Sequence, residues 1–372
     1  MTIPPRAIAE KIPFVDLARE NQAFESKFRE YLNEILATGA YISSKYNRAF
    51  EDSLAVATQS THAIGVSSGT DALTLGIKAL NLPEQSEILV PSNTFIASVF
   101  AISHAGHTPV LVEPDIATCN VSAENIRAAI TPKTRAIVAV HLYGRAAPMG
   151  EIMAAAQEHD LKVVEDCAQA FGASYQGKAL GSWGDLAAFS FFPTKTLGGI
   201  GDGGAITTSN PKIAHQIMAM RQQGALVKNE HLQIGGNSKL SEIEAAFLYA
   251  KIGAVEELAN KRRSVARYYL DHIRNPKLVL PEPPRHREEH VWHLFALRTL
   301  ERDAFQKHLT DHGIGSISHY PKPIHLQKAY KGFFKGSYPI AEEISRTTLS
   351  LPMHSVLEVE QLKRVVDVVN GF

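Results

Sequence analysis

Cysteine is scarce in this chain, and neither sign of charge dominates. Only Cys119 and Cys167 occur among 372 residues, far apart and outside any C-x-x-C pattern. That excludes a disulfide framework and leaves two reduced, mostly buried thiols of a cytosolic protein as the expectation. Lys+Arg and Asp+Glu each number 38, so the formal net charge is zero. No basic excess draws the chain onto nucleic acid or an anionic membrane, and an anionic ligand has to be held by a local site. No apolar run approaches the ~18 residues needed to span a bilayer. The opening MTIPPRAIAEKIPF lacks the charged start and apolar core of a signal peptide.

What is present is an alternation. Residues 20–38 and 44–59 read as helices with mixed apolar and charged faces. From about residue 61, β-rich runs alternate with helical stretches. The runs are Ala63–Val66, Glu87–Pro91, Pro109–Pro114, Ala136–Leu142, Lys162–Asp166, Ala187–Phe192 and Gly204–Thr208. In DALTLGIKAL, Ala72, Leu75, Gly76, Ala79 and Leu80 fall on one helical face. Such a pattern predicts an α/β fold with a seven-stranded, mostly parallel sheet covered on both sides. The last two runs are joined by a glycine-rich loop without a helix, so one of them is expected to run antiparallel. Beyond residue 238, one long helix or two abutting ones lead to the Pro- and charge-rich NPKLVLPEPPRHREE. A smaller C-terminal α+β unit follows, with a strand at Val291–Arg298 and helices near 300–313, 340–350 and 357–370. The expected division is a large domain over 1–250 and a small one over 251–372.

Ligands of open α/β sheets sit beyond the carboxyl ends of the strands. After Ala63–Val66 comes Ser67-Ser68-Gly69-Thr70, where a turn feeding a helix offers backbone N–H groups to an anion. The same residues would also serve as an ordinary N-cap. Asp166 ends the Lys162–Asp166 run, and a carboxylate emerging from a buried strand needs a partner. A protonated pyridine nitrogen is one candidate; the turn that follows is another. Lys195 lies between FSFF and GGIGDGG, with no obvious route to solvent. A buried lysine loses its charge readily and becomes nucleophilic.

Two patterns mislead. Gly199-Ile200-Gly201-Asp202-Gly203-Gly204 spells G-x-G-x-x-G but leads into a strand, so the dinucleotide reading is rejected. His286, His290 and His293 with Glu288 and Glu289 suggest a metal, yet on a strand His290 and His293 would point to opposite faces.

The segments SSGTDAL, PSNTFIAS, PVLVEPD, VHLYGRAAPM, EDCAQAFGA, FSFFPTKTLGGIGDGGAI, GGNSKLSEIEAAF and HYPKPIHLQKAY follow one another in that order. In this the chain resembles the DegT/DnrJ/EryC1/StrS family of sugar aminotransferases over nearly its whole length. The joint occurrence of D-x-x-Q and S-F-x-P-T-K carries the resemblance. It implies a fold-type-I pyridoxal 5'-phosphate enzyme, homodimeric, with shared active sites. Carried over by motif, Lys195 holds the cofactor as a Schiff base and Asp166 pairs with the pyridinium nitrogen. Gln169 bonds the ring hydroxyl, Gly69, Thr70 and Ser190 hold the phosphate, and Phe95 stacks on the ring. Asn237 reaches the phosphate of the partner subunit's cofactor, and His319 and Tyr320 contact the sugar nucleotide.

The resemblance further implies glutamate as amino donor, pyridoxamine phosphate during turnover, and a nucleotide-linked keto sugar as acceptor. NTFIAS…PVLVEPD resembles the branch acting at C3 of dTDP-3-keto-6-deoxyhexoses. C4 aminotransferases on dTDP-, UDP- or GDP-4-keto-6-deoxyhexoses and sugar dehydratases are the neighbouring readings; the dehydratases typically lack the lysine present here as Lys195. Phe171 and Phe192 stand where the family often has polar residues, and each is expected to strip a polar group from near the cofactor or nucleotide pocket.

Overall fold

The computed structural model describes residues 11–372, so the expectation about the first ten residues lies outside it. Three helices come first: α1 (Leu17–Gln22), α2 (Glu25–Thr38) and α3 (Lys45–Ala57). The single helix expected over 20–38 is thus broken. The break lets the two pieces take different partners: Glu20 of α1 meets Arg262 at 3.2 Å, while Phe28 of α2 packs edge-on against Phe247.

The sheet is built from β1 (His62–Val66), β2 (Glu87–Pro91), β3 (Thr108–Val112), β4 (Thr134–Val140), β5 (Lys162–Asp166), β6 (Leu186–Ser190) and β7 (Gly204–Thr208). Between them lie α4 (Gly69–Ala79), α5 (Ile96–His104), α6 (Ala123–Ala129) and α7 (Met149–Glu158). The strand order is β1-β7-β6-β5-β4-β2-β3. Strand β7 pairs antiparallel with both β1 and β6, and the other pairs are parallel. The missing helix before β7 was the signal for this reversal: a parallel return needs a crossover, and a tight loop does not supply one. Strands β1, β5 and β6 therefore end at one edge of the sheet.

Side chains of β4 show how the sheet is buried. Ala136, Val138 and Val140 join one apolar cluster with α4, α5 and α8 (Pro211–Met220). Ile137 and Ala139 join the other, with α3, α7 and α9 (Glu242–Ile252). The period of two puts successive residues on opposite faces, and both faces are covered. On α4 the buried face is Ala72, Leu73, Gly76, Ile77 and Ala79, so three of the expected residues are buried, whereas Leu75 and Leu80 are only half-buried. The expected face is rotated because the helix packs into the angle between the sheet and its neighbours. A third cluster gathers α10 (Val255–His272), β8 (Phe295–Arg298), α11 (Arg302–Asp311), β9 (Thr348–Leu351) and α13 (Val359–Asn370), joined by Ile12. The helix expected over 340–350 is α12 (Pro339–Thr347), after which Thr348–Leu351 turns into a strand that pairs with β8. Among the described residues no helix is long and apolar enough to cross a membrane.

One buried carboxylate braces the sheet from behind. Glu165, fully buried, accepts the N–H groups of Trp183 (2.7 Å), Gly181 (2.9 Å) and Gly184 (3.0 Å) and lies 3.2 Å from His141 Nε2. His141 Nδ1 accepts Ala147 N–H, which leaves Nε2–H to donate to Glu165. Replacing Glu165 by Ala would strand one buried and two half-buried N–H groups, and should lower stability by about 3 kcal/mol in urea unfolding.

Candidate active site

Residues from four strand ends converge on a cleft of about 390 Å³. Nine of the ten candidate positions line it: Gly69, Thr70, Phe95, Asp166, Gln169, Ser190, Lys195, His319 and Tyr320. Asn237 does not. It lies exposed beside Asp71, Thr74 and Gly236, outside the cleft.

The floor of the cleft follows from local structure. Strand β1 runs out at Val66, and Ser68 caps α4 by accepting Asp71 N–H at 3.1 Å. The first turn of α4 thus opens onto the cleft beside Ser190. A Cβ on Gly69 would come within 2.7 Å of Ser190 Cβ, so the close approach of α4 to β6 needs glycine there. Both the cap and the glycine that opens the first turn are features of an anion cradle.

Asp166 is 5 % exposed. Its carboxylate accepts Ser98 O–H at 2.7 Å and Ala168 N–H at 3.1 Å, and among the described residues it makes no ion pair. A buried carboxylate aimed at a cleft, with only neutral donors, is suited to a cationic ring nitrogen. Lys195 follows β6 on a tight turn, its N–H bonded to Phe192 O at 2.8 Å. Burial pushes its amine down to about 8, and the charge of Asp166 opposes that shift without cancelling it. An amine, an acceptor for a pyridinium and a helix N-terminus beside a serine are the donor set that pyridoxal phosphate needs. The residues present fit the group.

Gln169 is already committed on both ends. Its Oε1 accepts Tyr143 N–H at 2.6 Å, and its Nε2 donates to Tyr320 Oη at 3.0 Å, leaving one N–H for the cleft. Tyr143 in turn donates its hydroxyl to His319 O. Phe95, 49 % exposed, lies 5.3 Å from the Tyr320 ring. Burial, reinforced by the charge of Lys195, pushes His319 down to about 4, so its ring is neutral at pH 7.

Sequence reasoning missed several residues of the site. Ser98 stands in NTFIAS, and only the fold brings it to Asp166. His293 lines the cleft, deeply buried, with Nδ1 unpartnered; burial first, then the Lys195 charge, holds it well below the ordinary imidazole range. His290 instead stacks on Trp292 and lines a separate cavity, so the two histidines do not converge on a metal. Among the described residues the one group spaced for a metal is His141, Glu165 and Cys167, where the Glu165 oxygens are already taken by amides. Phe171 corrects an expectation. It is 7 % exposed and packs edge-on against Phe189, away from the cleft, so it removes nothing from the pocket. Its turn carries it into the core behind the sheet. Phe192 does line the cleft.

Comparison with known proteins agrees with this geometry. Residues 22–370 match the model of the DegT/DnrJ/EryC1/StrS aminotransferase family. A dTDP-3-amino-3,6-dideoxy-alpha-D-galactopyranose transaminase from Aneurinibacillus thermoaerophilus is 45% identical over 97% of this chain and 99% of its own. A dTDP-3-amino-3,4,6-trideoxy-alpha-D-glucose transaminase from Streptomyces venezuelae is 39% identical over 98% and 97%. The structure of S. venezuelae DesV in complex with a ketimine intermediate is similar with a TM-score of 0.94 at 38% identity, covering 98% of both chains. The chain belongs to the DegT/DnrJ/EryC1/StrS aminotransferase family, whose members work with pyridoxal phosphate.

Proposed function

We propose that this aminotransferase moves the amino group of glutamate to C3 of a dTDP-linked 3-keto-6-deoxyhexose, giving a dTDP-3-amino-3,6-dideoxyhexose. The observation that carries the reading is the 45% identity, nearly end to end, with a transaminase named for such a product. When bound, pyridoxal phosphate supplies an electrophilic carbon for the incoming amine and an electron sink for the carbanion.

The chain's own residues do the rest. The first turn of α4, with Gly69, Thr70 and Ser190, would hold the phosphate. Asp166, fixed by Ser98 and Ala168 N–H, would keep the ring nitrogen protonated. The free N–H of Gln169 would meet the ring hydroxyl, and Phe95 would cover the ring. Lys195 would tether the cofactor. Once displaced by substrate, its Nζ would take a proton from the donor's α-carbon and pass it on to the cofactor carbon in the first half-reaction, and would move a proton the opposite way, onto the sugar carbon, in the second. An amine held near 8 is a competent base close to neutral pH, where a free lysine with pKa ~10.4 is neutral only about once in 2,500 molecules. His319 and Tyr320, at the mouth, would contact the sugar nucleotide.

The exposed position of Asn237 outside its own cleft supports a homodimer in which it reaches the partner subunit's cofactor. A division near residue 250 into a large cofactor-binding domain and a small C-terminal one completes the reading.

Incubation with glutamate and a panel of nucleotide keto sugars, with the new amine located by NMR, tests the regiochemistry. Nitrogen at C3 is expected; nitrogen at C4, or a deoxygenated product, would overturn the assignment. Borohydride reduction and peptide mapping should place the cofactor on Lys195. Lys195→Ala should reduce kcat by about 10³-fold or more with the fold intact. Asp166→Asn should keep the cofactor and lose roughly 10²-fold in rate. Gly69→Ala should weaken cofactor binding by about tenfold, roughly 1.4 kcal/mol, in a fluorescence titration.

A further inference from the structure

The glycine-rich stretch 198–204 that mimics a dinucleotide fingerprint has a different reason for its glycines. It is wrapped around a side chain of α9. Glu244 Oε1 accepts Ile200 N–H at 3.1 Å, and Gly201 N–H also bonds this carboxyl. A Cβ on Gly199 would overlap Glu244 Oε1, while one on Gly201 or Gly203 would come only into ordinary contact with the same side chain. Two turns further along α9, Lys251 Nζ donates to Gly198 O at 3.1 Å and to Asn21 Oδ1 at 2.9 Å. Seven residues separate the two, so they share a helix face. Both are nearly sealed from solvent, at 4 % and 3 % exposure, and neither lines the cleft.

The loop they hold is the one that carries Lys195. Its two arms are tied at Phe191, whose N–H donates to Gly203 O and whose carbonyl accepts Gly199 N–H, both at 2.8 Å. Leu197 is fully buried between them. Burying two ionisable side chains without an ion pair between them is costly, and a loop that only had to turn would not require it. We propose that Glu244 and Lys251 are positioning residues for Lys195, gripping the glycine loop from behind so that the cofactor lysine, half-buried at the cleft wall, is held back from water.

Burial pushes Glu244 up to about 7, with its amide bonds opposing, and pushes Lys251 down to about 8. Asp202 of the loop, Glu20 of α1 and Arg262 of α10 are the other charged groups that face the pair. The grip acts on Lys195 through water. Its amine lies near 8 because burial strips hydration from the charged form. A loosened loop readmits water and lets the value climb toward the ~10.4 of free lysine. The inference rests on Lys195 as the cofactor lysine, which borohydride mapping tests separately.

The test uses the full chain reconstituted with pyridoxamine phosphate, in which the Lys195 amine is free. Competitive acetylation with acetic anhydride from about pH 6 to about pH 11, read by peptide mapping, gives the midpoint for Lys195. Wild type should titrate near 8. Glu244→Ala and Lys251→Ala should raise the midpoint by about 1 or more. Glu244→Gln keeps the amide acceptor and should restore the wild-type midpoint. The direction discriminates, because deleting a nearby carboxylate by itself lowers a lysine's midpoint. If Glu244→Ala does not fold, Gly199→Ala, whose methyl displaces the carboxyl, reads the same quantity. A folded Glu244→Ala or Gly199→Ala protein with an unchanged or lowered midpoint overturns the proposal, as does a Glu244→Gln shift equal to that of Glu244→Ala.

Discussion

The amine of Lys195 has to give up its proton readily near neutral pH yet remain within reach of a substrate. Burial does the first and the cleft does the second. The charge of Asp166 favours the ammonium form, but desolvation outweighs it, and the balance sits near 8. Most other features of the site serve that balance. The parallel strands deliver their carboxyl ends to one edge, the antiparallel β7 lets the lysine loop fold back tightly, and α4 brings an N-terminus to the same place.

Buried carboxylates in this fold divide by what satisfies them. Glu165 is saturated by three backbone N–H groups and a histidine. Glu242, 1 % exposed, takes the amides of Ser44 (2.8 Å) and Tyr46 (2.5 Å) at the start of α3, together with the Asn47 side chain. Glu20 has Arg262 and Ser355. All three are spent in holding elements together. Asp166 differs: its two neutral donors fix its orientation and leave it facing the cleft without an ion pair. That contrast separates a structural acid from one poised for a cationic ligand.

The histidines divide in the same way. His141 is committed to Glu165 and Ala147, and His290 to Trp292. His293 and His319 border the cleft, and burial beside the Lys195 charge keeps both rings neutral. A neutral imidazole both donates and accepts, which suits a hydroxyl-rich ligand better than a second cation would.

The sequence by itself determined the seven strands, that one of the last two runs antiparallel, and the placing of Asp166 at a strand end and Lys195 just past another. These rest on local pattern: alternation, helical spacing, a missing crossover, and which residue follows a strand. The motif order supplied the cofactor. Tertiary structure alone decided that Ser98 orients Asp166 across 68 residues of chain, that His293 enters the cleft while His290 does not, and that Phe171 turns into the core. It alone showed that Gly199 is small because Glu244 occupies the space its side chain would need. No periodicity carries such contacts. They arise where distant segments are pressed together, and a buried polar group takes whatever partner the packing leaves within reach.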